Sequence, residues 1–190
     1  MSISKIIALL AEKHTAAHMK KIVRVVGTNS DLFHELADAF TGQDEELARR
    51  ASWPIGYIAA DHPELSKKYI RKFIQLLKQS NRHPSIYRNT FRILQYYPLQ
   101  QNLKGEVFDI SLRFIQNAAH PGSIRAFAMS SSLNAGIQYP ELIRELKLVL
   151  LSLSSEETPA ILSRSRKVLQ QIDRLEKTPA FNKSRRGKKL

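Results

Sequence analysis

The sequence predicts an all-α protein built as an array of helical hairpins. Apolar residues recur at helical spacing nearly throughout, and no alternating run of strand length stands out. Pro84, Pro121 and Pro159 open three segments 37 and 38 residues apart. Arg50, Arg88 and Arg125 keep the same period. A unit of about 38 residues cannot bury the apolar faces of its helices alone, so each must stack on the next. About ten helices follow from that period and the length.

The elements justify this in order. Asn29-Ser30-Asp31 offers capping oxygens ahead of Leu32, Phe33, Leu36, Ala37 and Phe40, and Thr41-Gly42 is a stop. Ala48, Ala51, Ile55, Ile58 and Ala59 form the next stripe, with Pro54 one turn inside it, predicting a bent helix. Tyr69, Ile70, Phe73, Ile74 and Leu77 form another, then Tyr87, Phe91 and Leu94, then Phe108, Leu112 and Ile115. Leu142, Leu146, Val149, Leu150 and Leu153 give the stripe of a later helix. Proline after His83, His120 and Thr158 suits a first helical turn, where its missing N–H has no partner to lose. The two histidines, each before proline, read as turn or capping residues. The units are 45–80, 83–118 and 120–155, with 2–42 as a degenerate leading part and 158–176 as a closing helix. The expected organisation is a repeat domain over 1–176 and a basic, disordered tail over 177–190.

Composition narrows the chemistry. There is no cysteine among the 190 residues, which excludes disulfides, thiolate metal sites and a cysteine nucleophile. The apolar stretch 6–11 is too short for a signal-peptide core, so a cytoplasmic protein without a membrane span is expected. No Gly-rich phosphate loop and no Gly-x-Ser-x-Gly elbow occurs. His14 and His18 have i, i+4 spacing, but Thr15 stands where a metalloprotease helix has glutamate, and no metal site is expected. Glu106 with Asp109, and Glu141 with Glu145, read as acids complementing helix starts rather than as an acid–base pair. No catalytic residue and no cofactor are assigned.

The net charge of +13 points to acidic partners. Six of the thirty basic residues lie in the tail, from Lys177 to Lys189. Between Glu64 and Glu106 there is no acid but nine cations: Lys67, Lys68, Arg71, Lys72, Lys78, Arg82, Arg88, Arg92 and Lys104. Aromatic residues interleave with them, as in sites that hold phosphates on cations and bases on rings. Arg88 recurs with the repeat and so reads as structural or surface basic. Lys67, Lys68, Arg71, Lys72 and Arg92 are the candidate ligands of an anionic partner.

Arg50-Ala51-Ser52-Trp53, Arg125-Ala126-Phe127-Ala128-Met129, Pro140-Glu141-Leu142 and Ser165-Arg166-Lys167-Val168-Leu169 resemble HEAT-like repeat proteins over roughly two-thirds of the chain. More narrowly the chain resembles a family of small bacterial HEAT-like proteins without an established function. Members of that family sometimes carry the name adenylosuccinate lyase by automatic transfer. That enzyme family's signature loop has Met-Pro, Lys and Asn after a serine-rich turn. Met129-Ser130-Ser131-Ser132-Leu133-Asn134 lacks the Pro and the Lys, so lyase chemistry is not expected. At fold level the chain is similar to the HEAT-like alkylpurine DNA glycosylases, which place a catalytic Asp one helical turn from a Trp. Here Trp53 is the single tryptophan and Tyr57 stands four residues on, which argues against excision chemistry. The resemblance implies a non-enzymatic α-solenoid binding a macromolecular partner, with protein as the first class. Nucleic acid bound through the basic middle and tail is the alternative.

Overall fold

The computed structural model describes residues 5–12, 14–179 and 181; of the tail's cations only Lys177 falls among them. The described residues form ten α-helices and one 3-10 turn, with no strand among them. The chain divides into two compact units, 1–98 and 99–190.

The first unit holds α1 (Lys5–Glu12), α2 (Ala16–Val26), α3 (Ser30–Thr41), α4 (Glu45–Asp61), the 3-10 turn Pro63–Lys68, α5 (Ile70–Leu76) and α6 (Pro84–Leu94). Local sequence sets most boundaries. Asn29 Oδ1 accepts from the Asp31 and Leu32 amides, and Gly42 ends α3. Asp44 Oδ1 accepts from Leu47 N at the start of α4. His83 Nδ1 accepts from Ser85 N and caps α6, as its place before Pro84 suggests. The core joins Phe33, Phe40, Ile55, Phe73 and Phe91, all buried, with Phe40 and Phe73 packed edge to face at 5.3 Å. α4 is the hub and touches α1, α2, α3, the 3-10 turn and α6.

The second unit holds α7 (Gln101–Gln116), α8 (Gly122–Gly136), α9 (Pro140–Leu151) and α10 (Pro159–Glu176). α8 lies centrally, against α7, α9 and α10. Its small residues permit this. A Cβ at Gly136 would stand 3.2 Å from Phe108 Cε2, and Ser131 and Ser132 are fully buried. The serine-rich stretch is therefore helix packing, with Ser130 Oγ accepting from Arg164 at 2.7 Å.

Two local expectations are corrected. Pro121 precedes the first residue of α8 instead of opening its first turn, while His120 lies in the turn before it, its amide donating to the Asn117 carbonyl at 3.1 Å and its ring stacked on Phe114 at 4.2 Å. The deeply buried face of α9 is Ile143, Leu146 and Leu150, whereas Leu142, Val149 and Leu153 are only half-buried. The helix is apolar on several sides, and Leu148 and Leu151 are left exposed.

Candidate functional site

The repeated arginines show what the repeat uses a cation for. Arg50 Nη1 donates to the Leu10 and Ala11 carbonyls at 2.9 and 3.0 Å, in the last turn of α1. Its Nε donates to Glu46 at 2.6 Å. Arg125, buried in α8, donates from Nε to the Ile115 carbonyl at the end of α7, at 2.8 Å. Its two Nη atoms form a bidentate pair with Glu157 at 2.8 and 2.6 Å. In both cases a guanidinium meets the negative end of a helix and an acid balances its charge.

Arg88 has neither partner. It makes no side-chain hydrogen bond or ion pair among the described residues, and its Nε is buried. Burial, and after it the charge of Arg92, pull its pKa below the ordinary guanidinium value, while Tyr57 acts the other way.

Around Arg88 the helices bring an aromatic and basic group together. Arg92 lies one turn further along α6, with its guanidinium 4.5 Å from the centre of the Tyr57 ring. Tyr57 lies on α4, one turn after Trp53, and is 40% exposed. α4 and α6 approach closely because position 56 is glycine. A Cβ there would stand 2.9 Å from Asn89 Oδ1. Asn89 Nδ2 in turn donates to the Ser85 carbonyl and to Ser52 Oγ, a polar tie across the same contact. Hydrogen bonding from Arg92, then its charge, hold the Tyr57 phenol below its ordinary pKa. Replacing Arg92 by Gln is therefore expected to raise the phenol's pKa toward its ordinary value. Ultraviolet difference titration of R92Q against the native chain, with Y57F to identify the signal, measures this. An unchanged Tyr57 titration would contradict the contact.

The other cations divide. Arg82 pairs with Glu45 at 2.8 Å and donates to the Gly42 carbonyl, and Lys104 donates to Gln138 at 2.6 Å; both are consumed in packing. Lys72 lies 3.7 Å from Asp38 of α3 and 6.0 Å from the centre of the Tyr69 ring. Lys68 lines a cavity of about 270 Å³ with Asp31, His34, Glu64 and Tyr69. The Tyr69 hydroxyl is hydrogen-bonded to His34 Nδ1. Lys67 and Arg71 are exposed and make no ion pair among the described residues. So Lys68 and Lys72 sit against acids of α3 and the 3-10 turn, while Arg92 sits against aromatic α4.

Sequence reasoning passed over Tyr57 and Arg88 as members of one group. The signal was partial. Glu46 stands four residues before Arg50 and proline stands at that place before both Arg88 and Arg125, so only the acid at 157, which reaches Arg125 from a later segment, separates the last two. The two histidines at helical spacing, His14 and His18, meet different partners. His18 Nε2 bonds with the Leu9 carbonyl at 2.6 Å, and His14 packs edge-on against Trp53 at 5.7 Å. Among the described residues no group of three metal-ligating side chains converges, and no helix is long and apolar enough to cross a membrane.

A family model described as HEAT repeat domain matches residues 6–172. No curated protein matches the chain.

Proposed function

The chain belongs to the HEAT repeat domain family, and from that premise we propose that it is a non-enzymatic scaffold that holds a macromolecular partner. The family match over 6–172 carries the reading, because stacked helical hairpins offer broad faces rather than an enclosed pocket. The use of polar side chains supports it. Arg50, Arg82, Asn89 and Arg125 tie helices together.

An anionic partner is proposed, met by Lys67, Lys68, Arg71, Lys72 and Arg92. A protein with an acidic segment is the first class, since HEAT repeat scaffolds often mediate interactions. Nucleic acid is the second, favoured by one observation: Arg92 lies over the partly exposed ring of Tyr57.

In-cell cross-linking followed by mass spectrometry tests this. The native chain is expected to yield a recurrent macromolecular partner cross-linked within 1–98. The fourfold variant K68E/R71E/K72E/R92E is expected to lose it at unchanged helicity. A partner kept by that variant removes the basic residues from the reading, and a native chain that cross-links to nothing removes the scaffold reading.

A further inference from the structure

The three copies of the repeated arginine act as controls for one another. At positions 50 and 125 the guanidinium has helix-end carbonyls and a carboxylate. At position 88 it has neither, yet its Nε is out of water. A partly desolvated cation without an acid is costly, and a second cation beside it raises the cost. Arg92 is that second cation. An oxyanion taken between the two would offset both terms. Guanidinium forks match phosphate oxygens in shape as well as charge.

The flanking groups narrow the class. Tyr57 presents a partly exposed ring beside Arg92. Trp53 stands one turn before Tyr57 on α4 and is half-buried. An acidic peptide would satisfy the two arginines but would leave these rings unused. A nucleotide strand uses both kinds of group, with phosphate on cations and base on ring. Duplex bases are already stacked on each other, so a single strand suits the rings better.

We propose that Arg88 and Arg92, flanked by Tyr57 and Trp53, form a phosphodiester-binding site for single-stranded nucleic acid. The site rests on the scaffold reading and specifies its second partner class. It also gives Arg88 a role different from that of its repeat equivalents. Arg88 is the oxyanion ligand of the set, and Arg50 and Arg125 are ties.

Trp53 is the single tryptophan of the chain and lies one turn before Tyr57, so its emission reports on the site. The experiment titrates the full chain with a fluorescein-labelled twelve-residue oligothymidylate, reading anisotropy and, with unlabelled strand, Trp53 emission. Saturable binding with a matching change in emission is expected. Arg88→Met and Arg92→Gln are each expected to weaken binding about tenfold, as for loss of a charge-assisted hydrogen bond. Each should lower the log–log salt slope by about one. The tail's cations are the same in every variant, so they do not contribute to these differences. Thermal melting checks that Arg88→Met is folded; if it is not, Arg92→Gln and Arg88→Lys carry the comparison, the lysine variant keeping the slope.

Binding with no change in emission, or with native affinity in both Arg88→Met and Arg92→Gln, overturns the site. Polyglutamate that competes as well as oligothymidylate overturns nucleic acid in favour of an acidic peptide. An oligothymidylate that fails to bind overturns the site but leaves the scaffold reading, which the cross-linking experiment decides separately.

Discussion

Arg125→Met is expected to destabilise the protein by about 3–5 kcal/mol, the range for breaking a buried ion pair by removing one partner. The Arg125 side chain is 4% exposed and Glu157 17%, so the acid is left largely out of water without its cation. The Ile115 carbonyl loses its guanidinium donor as well. A fall in melting temperature on the order of 10 °C should follow. Scanning calorimetry measures it, since the two compact units need not melt together. Arg88→Met is the informative companion. It removes a half-buried cation that has no acid, and should leave stability unchanged or slightly raised. An Arg125→Met chain that melts like the native protein would show that the repeated arginine does not tie helices.

Phe73→Ala should cost about 3–5 kcal/mol. Phe73 is fully buried in α5, edge to face with Phe40 and stacked near Tyr69 at 6.1 Å. The removed ring leaves a void between α3 and α5, and helices packed on both sides limit how far it can close. Urea denaturation followed by circular dichroism measures this. Tyr69 belongs to the same aromatic stack, and its ring faces Lys72 at 6.0 Å. The substitution therefore also tests whether the basic segment depends on that core. A loss below about 1 kcal/mol would mean that the site collapses freely.

Much of the fold was legible because its rules are local. The Asn29 cap, the Gly42 stop and proline at the start of α6 each follow from one backbone group needing a partner or lacking one. The buried stripe of Tyr87, Phe91 and Leu94 follows from helical period alone. α9 was less legible, because leucine or valine stands at 142, 146, 148, 149, 150, 151 and 153, and periodicity cannot choose a face when several are apolar. The candidate site was legible only as charge. An acid-free run from 65 to 105 does not say that Arg82 is spent on Glu45 or that Lys104 is spent on Gln138. Both partners are at least 34 residues distant in sequence. Arg88 was read as structural or surface basic because it recurs. Recurrence fixes where the side chain stands, while its partners come from other helices and differ from copy to copy.

Pro54 gives α4 a joint. Without an amide hydrogen there, the Arg50 carbonyl lacks its usual donor one turn on, so bending stiffness is lowest in the middle of α4. The half before the joint carries Arg50, tied to α1, and the half after it carries Gly56 and Tyr57, set against α6. The joint therefore divides one helix between two duties, holding α1 on one side and meeting α6 on the other.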